Sequence, residues 1–213
     1  MAEATSDVAS DSLAVPLRTA LRWPPVGASL DVVVEGDGVL ADALRAAHPQ
    51  AECTTTVVVA SIATEPVPFD QLTDEAFDAA WEQPMRRAIT AFQIAHQAGH
   101  QRLIAIVPTI GMSGAACLGH AAATAEAIRV MVKSAARQWG TSGMTVNCIA
   151  VAPELFGIGA GDVGTVSLAP PALARAGTAT DDIVPLIRLV GSEDSHHITG
   201  ATLTADGGVW MTA

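Results

Sequence analysis

Four short runs of apolar, mostly β-branched residues constrain this chain more than any other feature. They are LDVVV (30–34), TTTVVVASI (54–62), RLIAIVP (102–108) and MTVNCIAVAP (144–153). Apolar residues fill each run without alternating, as a strand covered on both faces requires. Segments with helical patterning lie between them: VLADALRAA (39–47), residues 73–98, and GHAAATAEAIRVMVKSAARQWG (119–140). After the fourth strand come a Gly-, Ala- and Pro-rich stretch from Phe156 to Thr180, read as a loop or lid, a helix DDIVPLIRLVGS (181–192), and a last strand in GATLTADGG (200–208). Strands alternating with helices predict an α/β fold, a Rossmann-like three-layer αβα arrangement around a mainly parallel sheet.

The helix over 73–98 starts well. Thr73 is its cap, and Asp74 and Glu75 sit at the positive end of its dipole. Pro84 lies inside it and is expected to kink or break it, and Gly99 closes it. Residues 1–28 read as an acidic tail followed by an arm, with Leu13, Val15, Leu17, Leu21 and Trp23 set among Pro16, Pro24 and Pro25. Residues 29–213 read as a single domain, since 213 residues suffice for one substantial core.

The net charge of −11 argues against nucleic acid and anionic membrane as partners, because both need a basic face. No apolar run reaches the roughly 18 residues of a membrane span, and the N-terminus lacks the pattern of a secretion signal. Cys53, Cys117 and Cys148 have no paired spacing and read as buried free thiols in a reducing compartment. The expectation is a cytoplasmic protein with no metal site.

Three stretches carry a resemblance: ITGATLTADGG (198–208), KSAARQWGTSGMTVNCIAVAP (133–153) and LTDEAFDAAW (72–81). They are similar to the last strand and its Asp-Gly-Gly turn, the passage from catalytic helix to strand, and the entry to the long interface helix of short-chain dehydrogenases/reductases. The resemblance runs from about Leu30 to the end. It implies a Rossmann fold that binds NAD(H) or NADP(H), and tetramers built through two long helices and the C-terminal strand.

The functional motifs of that family depart from it here. The Gly-rich turn is reduced to VVVEGDGVLADAL, with Gly36 and Gly38 as a remnant and Glu35 and Asp37 where phosphates would lie. Between Val34 and Val57 there is room for one helix, whereas a complete member has two further strands with their helices in that interval. Ungapped alignment back from Arg137, Trp139 and Gly140 places Ala121 at the family's tyrosine and Ala125 at its lysine. The whole chain contains no tyrosine. A methyl group can neither donate the proton nor tune the donor.

The family's serine falls in IVPTIGMSG, at Thr109 or Ser113, and its asparagine near Gln83 and Pro84. His120 is the residue best able to substitute as acid or base. Glu126, Arg129 and Lys133 read as a charged helix face, and His196 and His197 as a weak ligand candidate. The leading expectation is a non-catalytic subunit that needs no cofactor and assembles with a homologous active relative as a homo- or hetero-oligomer. One alternative is an NAD(P)-dependent oxidoreductase with a rebuilt site, using Thr109, Ser113 and His120 on a lipid- or polyketide-like substrate. Another is a small-molecule binding protein without turnover.

Overall fold

Strands β4 (Thr55–Val59), β5 (Arg102–Pro108) and β6 (Thr145–Val151) are buried along their whole length. They form the middle of a five-stranded parallel sheet in a computed structural model that describes residues 30–159, 171–175 and 177–211. The arm expected over 1–28 lies outside the described residues, as do 160–170 and 176 of the Phe156–Thr180 stretch. The short strand β2 (Val33–Glu35) pairs with β4, and β7 (Thr202–Ala205) with β6, giving the order β2-β4-β5-β6-β7. Two-residue strands β1 (Leu30–Asp31) and β3 (Gln50–Ala51) form a separate antiparallel pair.

Alternate strand residues feed opposite layers. Val58, Leu103, Ala105, Val107, Val146, Cys148 and Ala150 pack under α2 (Asp74–Gln97) and α4 (Gly119–Trp139). Val57, Val59, Ile104, Ile106, Ile149 and Val151 pack under α1 (Val39–Ala47) and α5 (Val184–Val190). A one-turn helix α3 (Ile110–Ser113) follows β5. The Asp-Gly-Gly turn ends β7: the Asp206 carboxylate accepts from the backbone N–H groups of Gly208 (3.0 Å) and Trp210 (2.8 Å).

The expected break at Pro84 does not occur; α2 runs unbroken from Asp74 to Gln97. Proline removes the N–H that would have bonded the carbonyl four residues back, that of Ala80. The Thr124 hydroxyl, fully buried on α4, donates to that carbonyl at 2.8 Å. The neighbouring helix thus supplies the bond that the proline withholds.

The order of strands has a consequence for handedness. From β2 to β4 to β5 to β6 the chain steps across the sheet in one direction, yet α1 covers the opposite face from α2 and α4. Connections that step the same way on opposite faces have opposite hands. β2–α1–β4 is therefore opposite in hand to the crossovers through α2 and α4, and so is β6–α5–β7, whose helix lies on the face of α1. As expected, the interval from β2 to β4 holds one long element, α1, besides the two-residue β3.

Candidate functional site

The C-terminal ends of β2 and β4 bound the place where this kind of sheet takes a nucleotide. Gly36 leaves β2 at φ +116°, and a Cβ there would lie 2.3 Å from the Val59 carbonyl oxygen, so the turn presses directly on the end of β4. Gly38 precedes α1 at φ +93° with open space around it. Asp37, between them, is ion-paired with Arg87 of α2, and Ser61 bridges the two at 3.4 Å from each. The acidic turn therefore carries its own cation. A phosphate entering here would have to displace Asp37 from Arg87 and lie beside Glu35.

Two cavities open beside this turn: one of about 220 Å³ bounded by Asp37–Leu40, Ala60–Ile62, Thr64 and Phe156, and one of about 350 Å³ between Glu35–Asp37, Val58–Ser61 and the α2 residues from Pro84 to Ile94. Phe156 ends the turn after β6 and packs against all three apolar clusters of the molecule. Among the described residues β2 is the edge strand, so the strand-order reversal at which such sheets bind dinucleotides is not seen beside the turn. Glu35 and Asp37 do not suit the pyrophosphate of an NAD(P) dinucleotide at this turn.

Ala121 and Ala125 are fully buried on the inner face of α4. Thr109 is buried at the end of β5, and its amide donates to the Val151 carbonyl (2.9 Å). Ser113 spends its hydroxyl on the Thr109 carbonyl (3.2 Å). His120 is buried too, but it faces another cleft, between α2 and the loop after β4, with neither Thr109 nor Ser113 in its lining. The candidate triad Thr109, Ser113 and His120 is thus not gathered around one cavity.

Glu126 and Arg129 pair as expected, with Arg129 Nε 2.9 Å from the Glu126 carboxylate, but half-buried against Gly111 rather than on an open face. His196 and His197 stack edge to face at 6.3 Å on an exposed turn. Among the described residues no three histidines, cysteines or acids cluster in a way that could hold a metal. Cys53 and Cys148 are buried as expected; burial raises both thiol pKa values, that of Cys148 to about 12. Cys117 differs from expectation and is exposed, at a φ of +60° in the turn before α4.

Three residues of this region were missed in sequence. Thr124 was discoverable, since a proline within a helix announces an unpaired carbonyl four residues earlier. Phe156 directly follows a strand-ending proline turn and marks the crevice by position. Arg87 carries no local signal, because its partner lies 50 positions away.

A family model described as Enoyl-(Acyl carrier protein) reductase matches residues 34–210. Among curated proteins, the peroxisomal 2,4-dienoyl-CoA reductase of Danio rerio is 33% identical over 119 residues, which are 52% of this chain and 39% of that one. The same enzyme of Pongo abelii is 31% identical over 117 residues, with the same shares. The matches thus span about two fifths of these relatives' length. Among solved structures, an NAD+-bound short chain dehydrogenase from Leptospira borgpetersenii superposes with a TM-score of 0.59 at 22% identity, over 74% of this chain and 65% of that one. A short chain dehydrogenase from Bacillus anthracis gives 0.61 at 21% identity, over 74% and 66%. Identities this low speak to the fold alone.

Proposed function

Because this chain belongs to the short-chain dehydrogenase/reductase family, we propose that it serves there as a non-catalytic subunit, assembling with an active relative through the long helices and the last strand. The observation that carries the reading is the state of the crevice. Phe156 bounds its cavity of about 220 Å³, Asp37 holds Arg87 at the turn, and Ala121 and Ala125, which align in sequence with the family's tyrosine and lysine, are buried. The two long helices offer apolar side chains that such assembly could use. Phe77 and Trp81 stack on α2 with ring centroids 6.1 Å apart, and Val130 and Ile89 are exposed on the two long helices.

The test is co-expression with a full-length relative encoded in the same genome, followed by native mass spectrometry. A mixed oligomer of fixed stoichiometry is the expected result. A stable homo-oligomer that ignores every such relative would sink the proposal.

A second reading draws on the curated relatives, whose names describe reductases of dienoyl-CoA thioesters. Under it the chain is an NAD(P)-dependent oxidoreductase with a rebuilt site for a lipid-like substrate. Titration with NADPH separates the two readings: saturable enhancement of nicotinamide fluorescence favours the reductase, and none at millimolar cofactor favours the subunit. No helix among the described residues is long and apolar enough to cross a membrane.

A further inference from the structure

The cavity of about 350 Å³ beside β2 is an apolar groove on the face of the sheet that α2 and α4 cover elsewhere. Its floor is built of small side chains, Val58 and Ala60 from the end of β4 and Ala88 and Ala91 from α2. Ile94, 53% exposed, stands in one wall, and Glu35 with the Gly36 turn forms the other. Val33 lies on the same face, because it sits opposite Thr56, two residues before Val58, and it is 43% exposed. Among the described residues β2 has no strand on its outer side. Exposed apolar side chains beside an open strand edge are a combination that proteins cover.

We propose that residues 13–23 of this same chain cover the groove and the β2 edge. These residues lie outside the described ones, and three features select them. The first is reach. The described chain begins at Leu30, in β1, which leads into β2. Residues 24–29 can span up to about 20 Å, and the path from Leu30 to Glu35 climbs at most about 18 Å, so Trp23 can stand at any level of the groove. The second is composition. Leu13, Val15, Leu17, Leu21 and Trp23 supply apolar anchors for a groove floored with alanine and valine. The third is charge. The charged residues of the segment are Arg18 and Arg22, both cations. The groove's own arginines are already paired, Arg87 with Asp37 and Arg86 with Glu82. Glu35 has no ion-pair partner among the described residues and is the acid that an arginine of the segment meets. Because the segment is tethered, its effective concentration is in the millimolar range, and a shallow groove suffices to hold it. Ile89 is not part of the groove and lies on the opposite side of α2, so the proposal does not rest on the subunit reading.

The experiment places p-benzoylphenylalanine at position 94 of the full chain, irradiates it, and maps the product by mass spectrometry. The expected result is a crosslink from position 94 to a residue between 13 and 23, in a product of monomer mass. A product of dimer mass would give the groove to a second copy. A monomer joined elsewhere, or no crosslink, would leave residues 13–23 off the groove. Each of these outcomes overturns the proposal. Hydrogen exchange read by mass spectrometry is the second measure. Leu17→Asp combined with Leu21→Asp should speed exchange of the 33–36 amides about fivefold or more, since a strand edge that loses its cover opens more readily. Val8→Asp adds a charge outside the segment and should leave that rate within about twofold of the wild type. An unchanged rate in the double variant, or equal acceleration by Val8→Asp, would also overturn the proposal.

Discussion

The centre of the sheet and its β2 edge obey different rules. Strands β5 and β6 run seven residues each, paired from Arg102 opposite Thr145 to Pro108 opposite Val151, with every residue buried. Among the described residues β2 has three residues, pairs on one side only, and leaves Val33 43% exposed. Its connection to β4 is opposite in hand to those through α2 and α4. The centre is held by a partner on both sides of every strand, whereas the edge is held from one side and by the Gly36 turn. The difference teaches that the demands of folding fall on the centre far more than on the edge.

Substitution at the two places is the strongest way to break that comparison. Ile104→Ala, in the centre, should cost about 2–5 kcal/mol, the range for truncating a fully buried isoleucine. Val34→Ala, on the edge strand, should cost about 1 kcal/mol or less, because the side chain is half-buried and its surroundings can relax. Denaturant midpoints at constant m-value measure both. Equal costs would mean that β2 is as integral to the core as β5, and the edge would lose its special status.

Within the edge, the turn is the firmest point. Gly36→Ala should cost about 2–3 kcal/mol, since it adds a side chain at positive φ to a clash with backbone. Gly38→Ala meets no atom and should cost about 1–2 kcal/mol through a backbone, φ +93° with ψ 176°, that glycine alone adopts readily. Thermal melts of the two variants compare them directly. If Gly36 tolerates alanine as well as Gly38 does, the turn is loose, and a nucleotide could reshape it.

The same division governs how legible the molecule was. The central strands could be read because TTVVV, RLIAIVP and TVNCIAV are buried on both faces, and that condition leaves its mark in unbroken β-branched runs. The single helix between Val34 and Val57 could be read from spacing alone. The edge could not be read so well, because its features are long-range. Arg87 reaches Asp37 across 50 positions, and Phe156 closes the crevice from beyond the fourth run. The buried Arg102 shows the same limit. It sits at the foot of β5 with no exposed surface, giving its guanidinium to the carbonyls of Gln101 (3.1 Å) and Ser192 (3.2 Å). Burial lowers its pKa, and only the fold explains why a strand should begin with an interior cation.

The Pro84 contact sharpens the comparison from the side of the centre. Thr124→Val keeps the shape of the side chain and leaves the Ala80 carbonyl unpaired, at a cost of about 1–2 kcal/mol. Pro84→Ala returns an N–H to that same carbonyl. In the Pro84→Ala background, Thr124→Val should therefore cost less than about half as much, a coupling that a double-mutant cycle on unfolding free energy detects. Additive costs would mean that the Thr124 bond is incidental and that α2 tolerates its proline for another reason.

The smallest effect concerns an ion pair on the other flank of the crevice, at the start of the segment leading into α5. Asp182 accepts both Arg175 Nη1 and Nη2 at 2.6 Å, and the Thr178 amide at 2.7 Å. The guanidinium first and the amide second lower its pKa to about 2 from an ordinary 3.8. A depressed carboxylate pKa stabilises the folded state fully above the unfolded value, and that contribution disappears as pH falls through the folded one. The wild type should therefore melt above Asp182→Asn at pH 5 and converge with it between pH 4 and about 2. The pair is open to solvent, so 1 M salt should narrow the gap at pH 5. Arg175→Gln should remove most of the difference, leaving the part due to the Thr178 amide. A gap that persists unchanged to pH 2 would place the stabilisation in the geometry of the turn, making this flank as rigid by backbone alone as the Gly36 turn is on the other.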